Sequence, residues 1–115
     1  MKAKQFEIWL ATLDPGFGTE AGKTRPVLVV QTDLLNKVHP STLICPLTTN
    51  VKAESQILRV NLTNGVAPVK EDCAIMIDQL RAIDNKRLIN KIGEVPRDIS
   101  DKVKENLKII LELDE

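Results

Sequence analysis

Aromatic residues are nearly absent from this chain of 115 residues: Phe6, Trp9 and Phe17 are all it has, and there is no tyrosine. That excludes recognition by a broad aromatic platform on which bases stack. There is one histidine, His39, so an acid/base pair of two histidines is excluded. With only Cys45 and Cys73 beside it, a structural zinc site is not expected either. Both cysteines sit inside apolar runs and read as free buried thiols. Neither sign of charge is in excess, since sixteen basic side chains balance sixteen acidic ones. A cationic field over the whole molecule is therefore absent, and any polyanion must bind a local patch. No apolar stretch approaches the length of a membrane span, and "MKAKQFEIWL" lacks the pattern of a signal peptide. The expected address is the cytoplasm, away from membranes. No G-x-x-x-x-G-K-[ST], G-x-G-x-x-G or G-x-S-x-G occurs, and nothing places His39 near a serine and an acid.

What is present is a series of short apolar runs. The length suits one domain, residues 1–115, with one core. Phe6 to Leu13 reads as a strand, with Phe6, Ile8 and Leu10 on one face and Trp9, Ala11 and Leu13 on the other. Asp14 to Thr24 is a loop marked by Pro15, Gly16, Gly18 and Gly22. "RPVLVVQ" is a strand with Pro26 close to its start, where a missing N–H costs least. Thr32 to Val38 reads as one helical turn. "TLICPLT" is a strand in which Pro46 points to an edge or a bulge. "SQILRVNL" follows, with Ile57 facing away from Leu58, Val60 and Leu62; "CAIMIDQLRAID" and "RLINKIGEV" are the last strands. From Asp98 the period changes, and Ile99, Val103, Leu107, Ile110 and Leu111 recur at helical spacing. Pro96 and Asp98 supply the start signals. The fold expected is mainly β: a bent antiparallel sheet or partly open barrel carrying a C-terminal amphipathic helix.

Polar residues interrupt the apolar rows at few places. If "CAIMIDQLRAID" is one strand, Asp78 breaks one face, and Gln79 and Arg81 break the other. Buried polar groups need partners. The plainer reading is a structural network, with Asp78 paired to an arginine such as Arg25 and Gln79 satisfying backbone. The alternative is a groove whose polar floor meets a ligand. Arg25, just before the apolar run, is either a strand-end cation held by Glu20 or Asp78, or a guanidinium fork for phosphate. Thr48 either ends a strand or donates its hydroxyl to a phosphate oxygen. Lys23, Thr24 and Lys52 are loop groups whose default is solvation.

Taken together, "EIWLATLDPGFGTEAGKTRPVLVVQ", "ICPLTTN" and "DQLRAIDNKRLINKIGEV" resemble, in that order, the signature of the MazF/PemK toxins of bacterial toxin–antitoxin systems. The resemblance runs from Phe6 to Leu113. It implies an SH3-like, PemK-type barrel forming a homodimer. It also implies a metal-independent, cofactor-free endoribonuclease that cuts single-stranded RNA at short sequences by attack of a ribose 2′-OH. The implied partner is a small antitoxin with a disordered acidic tail. Carried over by position, Arg25 and Thr48 lie against the scissile phosphate and Asp78 stands as an acid. The implied RNA contacts are Phe17, Thr19, Glu20, Lys23, Thr24, Thr49, Lys52, Gln79 and Arg81. Phe17 either packs on its own loop or stacks on a base. Two positions depart from the pattern. Met76 stands where one branch of the family has an arginine proposed as base, and Phe6 stands where many members have glycine. A CcdB-like gyrase poison on the same scaffold, or a member that only binds, are the alternatives; Arg25, Thr48 and the Asp78-Gln79 pair match the nuclease branch.

Overall fold

The computed structural model describes residues 2–51, 58–65 and 68–113. Seven strands form one antiparallel sheet: β1 (Glu7–Thr12), β2 (Thr24–Val29), β3 (Ser41–Thr48), β4 (Arg59–Leu62), β5 (Cys73–Met76), β6 (Arg81–Asp84) and β7 (Leu88–Glu94). Two helices accompany them, a single turn α1 (Asp33–Asn36) and the long α2 (Arg97–Leu111). The strand path is β4-β5-β3-β2-β1-β7, with β6 on β3. Its two ends do not meet, so the sheet is bent but open. Ile57 and Lys52 lie outside the described residues.

The apolar runs are continuous because the middle strands are buried on both faces. Successive strand side chains point to opposite sides. Accordingly Ile8, Leu28, Cys45 and Leu47 enter one core, with Val60, Leu62, Ile75, Ile99 and Val103. Trp9, Ala11, Val27, Val29 and Ile44 enter a second, with Leu13, Met76 and Leu88. The first core is the one α2 covers. Ile99 and Val103 are buried, and Leu107 and Ile110 pack at its margin, the expected stripe; Leu111 is half exposed. The helix starts on the Pro96 carbonyl, which accepts from Ile99 N and Ser100 N, and Asp98 sits in its first turn. Glu112, with φ of 55°, turns the chain out of it.

Two expectations are corrected here. "CAIMIDQLRAID" is two strands, not one. A 3-10 turn over Ile77–Gln79 separates β5 from β6, so its alternation does not run through. The polar Asp78 and Gln79 mark the break. Pro46 lies in the most heavily paired strand, not at an edge. It sits where β3 changes partner: Ser41 to Ile44 pair with β6, and Leu47 and Thr48 pair with β5. At Pro46 neither is in register, so the absent N–H costs no ladder bond. Strand β7 carries two bulges against β1, at Ile89 and Ile92.

Candidate functional site

A cleft opens where β2 and β3 part. The two strands pair from Val29↔Ile44 to Val27↔Pro46 and no further. The next positions in that register set Pro26 opposite Leu47 and Arg25 opposite Thr48. Val30 N donates to Leu43 O at 3.0 Å, so alternation of the antiparallel ladder makes Pro26 and Leu47 a hydrogen-bonding position. Proline has no N–H to give. The Leu47 carbonyl is instead met by Arg25 Nη1 at 3.2 Å, and Arg25 Nε donates to Gly22 O at 2.9 Å. The proline thus frees a carbonyl that fixes the guanidinium, and the parted strands leave it beside open space. Both partners are neutral carbonyls, and among the described residues no carboxylate forms an ion pair with it. Across the cleft, Thr48 Oγ1 accepts from Asn50 N at 3.2 Å, which leaves its own O–H to donate.

The cleft holds about 850 Å³. One side is polar: Lys23, Thr24, Arg25, Thr48 and Thr49. The floor is apolar, with Leu10, Pro26, Leu47 and Ile92. A further wall, Pro68 to Glu71, adds Lys70. Three cations face one carboxylate, Glu71, so the cleft is a local positive site in a chain of zero net charge. Among the described residues, no group of three or more His, Cys, Asp or Glu side chains could hold a metal ion.

Of the residues singled out from the sequence, Lys23, Thr24, Arg25, Thr48 and Thr49 meet in this cleft. Asp78 does not. It is exposed and pairs with Arg59 at 3.3 Å, which corrects the pairing expected with Arg25. Gln79 is committed to the loop: Nε2 donates to Thr19 O at 2.7 Å and Oε1 accepts from Ala21 N at 2.9 Å. This is the backbone-satisfying role of the plainer reading. Arg81 follows on β6, its Nη1 buried with no hydrogen-bond partner among the described residues. Phe17 is 83% exposed, so it does not pack on its loop, and Glu20 is exposed beside it. The loop contributes only Lys23 and Thr24 to the cleft; its tip stands outside the lining. Its neck is tied by Leu13 N to Lys23 O at 2.8 Å and by Lys23 N to Asp14 Oδ1. Arg87 Nη1 reaches Thr12 O at 2.9 Å and Asp14 O at 2.8 Å.

Sequence reasoning missed Lys70, Asn90 and Ile92. Lys70 sits in "VKED", which reads as solvated loop, and Ile92 reaches the cleft from a bulge. Both cysteines are free, buried thiols, and Cys73 reaches the cleft lining. Burial, then Asp78, pushes Cys45 up to about 12; burial, then Asp72 and Glu71, pushes Cys73 to about 11.

This architecture is that of solved toxins. The MazF of Deinococcus radiodurans superposes with a TM-score of 0.83 at 23% identity, covering 97% of this chain and 98% of that one. An endoribonuclease from a mycobacterial species, solved in complex with its cognate antitoxin, gives 0.78 at 18% identity, with 98% of each chain covered. In sequence, residues 4–111 match the model of the PemK-like, MazF-like toxins of type II toxin–antitoxin systems. Endoribonuclease EndoA of Bacillus subtilis is 33% identical over 113 residues, 98% of this chain and 97% of that protein. The chain belongs to the PemK/MazF-like toxin family.

Proposed function

We propose that the protein is the toxin of a toxin–antitoxin pair and an endoribonuclease that cuts single-stranded RNA in the cleft between β2 and β3. The observation that carries this is Arg25. It is a guanidinium fixed by two backbone carbonyls, with no carboxylate partner among the described residues, across parted strands from a hydroxyl free to donate. Such a pair suits a phosphodiester. The ribose 2′-oxygen bonds to the adjacent phosphorus, its proton leaves, the bond to the 5′-oxygen breaks, and that oxygen takes a proton. The products are a 2′,3′-cyclic phosphate and a 5′-OH. The oxygens of the pentacoordinate phosphorus gain charge on the way, and donors already in place stabilise it without reorganising. Arg25 orients the phosphate and offsets that charge, and Thr48 is a second donor. This step uses no metal. Asp78, outside the cleft and paired to Arg59, is not needed in this reading, and neither is an arginine at the position of Met76. Lys23, Thr24 and Thr49 line the strand's path, and exposed Phe17 is free to stack on a base.

Family membership and the mycobacterial relative solved with its antitoxin support a partner of that kind. The cationic cleft suits an acidic tail as well as RNA. A homodimer is part of the same reading. Purified protein incubated in EDTA with a long single-stranded RNA, its ends mapped by primer extension, is expected to cut repeatedly at one short motif. Arg25→Ala is expected to lose about a hundredfold or more in rate. Equal cleavage by the variant would remove Arg25 from the mechanism.

A further inference from the structure

One wall of the cleft that holds Arg25 and Thr48 is built by two features of unrelated segments. The chain from Pro68 to Glu71 lines the cleft. It rests on β7 at Gly93, where the approach is so close that a Cβ on Gly93 would lie 2.5 Å from Pro68 Cγ and 2.6 Å from Pro68 Cβ. Real side chains do not reach such distances, so any other residue at 93 pushes the proline ring away. Gly93 also sits beside the bulge at Ile92, pairing with Ile8 while Lys91 pairs with Trp9. The bulge is the device that turns Ile92 into the floor of the same cleft. Beyond this contact the segment ends at Asp72, whose Oδ1 accepts from Asn64 N at 2.8 Å, and enters β5 at Cys73. Between these two fixed points stands Lys70. It lines the cleft and makes no ion pair or hydrogen bond among the described residues.

We propose that Lys70 is a phosphate-binding residue of the RNA cleft and that Gly93 positions it, by letting Pro68 seat the wall that carries it. This rests on the ribonuclease reading above. A lone ammonium on a fixed wall of the cleft that also holds a fixed guanidinium suits a second phosphate of the same strand, held as a point charge while Arg25 grips the first.

The test uses a short oligonucleotide made non-cleavable by a 2′-deoxy substitution at the scissile position, with cleavage of its all-ribose form alongside. Lys70→Ala is expected to weaken binding about fivefold and to flatten its salt dependence by roughly 0.7 in log–log slope, one phosphate contact of a single strand. Gly93→Ala is expected to match it in affinity, with the loss falling on KM rather than kcat. It should also speed amide hydrogen exchange over residues 69–72. Gly93→Ala combined with Pro68→Gly is expected to regain affinity over Gly93→Ala, because removing the ring makes room for the Cβ. Unchanged exchange in Gly93→Ala overturns the positioning role whatever the protein does to RNA. Unchanged affinity and salt slope in Lys70→Ala overturn the phosphate contact. A wild type that neither binds nor cuts RNA removes the ribonuclease reading and the Lys70 contact with it, while the exchange result still decides the wall.

Discussion

Glu7 shows how far one carboxylate can be buried when both of its oxygens have partners. It is 5% exposed. Its Oε1 accepts from Lys4 N at 2.8 Å and from Trp9 Nε1 at 2.9 Å, and its Oε2 lies 2.9 Å from Lys91 Nζ. Burial acts to raise its pKa, but the bonds from Trp9, Lys91 and Lys4 together outweigh it, so Glu7 titrates below the usual carboxylate value; Lys91 is raised in turn. A depressed folded pKa means that the ionised form favours the fold. The stability it adds is present above the unfolded value of about 4.3 and is lost as pH falls through the folded pKa. Glu7→Gln keeps an oxygen for Lys4 and Trp9 but turns no charge toward Lys91. It should cost about 1.5–3 kcal/mol at pH 7, the range for hydrogen bonds to a charged group. Urea midpoints at pH 7 and near pH 3 check this: the gap between wild type and variant should narrow at the lower pH. A gap of equal size at both would mean that shape, not charge, is what the substitution removes.

Among the elements, the loop from Asp14 to Lys23 and the 3-10 turn over Ile77–Gln79 depend on each other. Gln79 reaches from the turn to both Thr19 and Ala21, holding the loop's return leg against the strand break. Gln79→Ala is expected to expose the Ala21 amide to hydrogen exchange and to cost about 1–3 kcal/mol, the net worth of two ordinary hydrogen bonds. If instead Gln79 reads a base, the variant will change the cleaved motif and leave the loop's exchange as it was. This turn also shows what a sequence can and cannot convey. β2, β3 and α2 were legible because their apolar residues follow one period without interruption. The turn was not, since Asp78 and Gln79 keep a strand's alternation while the backbone leaves the sheet. Arg25 and Thr48 could be picked out as strand-end polar groups. Their meeting depends on the register that puts them in line and on Pro26 ending it. The Asp78–Arg59 pair, the bulge at Ile92 and the Pro68–Gly93 contact are facts of register and approach between segments far apart in the chain, which no local pattern encodes.

For the molecule as a whole, the balance of charge decides how RNA is held. With acidic and basic side chains equal in number, there is no general attraction for a polyanion, and the cleft's Lys23, Arg25 and Lys70 must provide it. Few phosphates are then neutralised, and few counterions released. For a single strand the slope of log K against log salt is about −0.7 per phosphate contact, so three contacts give about −2. Binding of the non-cleavable oligonucleotide, measured between about 50 and 200 mM salt, should follow that shallow line and weaken by roughly twentyfold. A slope near −5 would require cations well outside the cleft. A slope near zero would mean that the apolar floor of Leu10, Pro26 and Ile92 holds the strand by its bases, with the phosphates left in water. Only the intermediate value agrees with a neutral protein that concentrates its positive charge where β2 and β3 part.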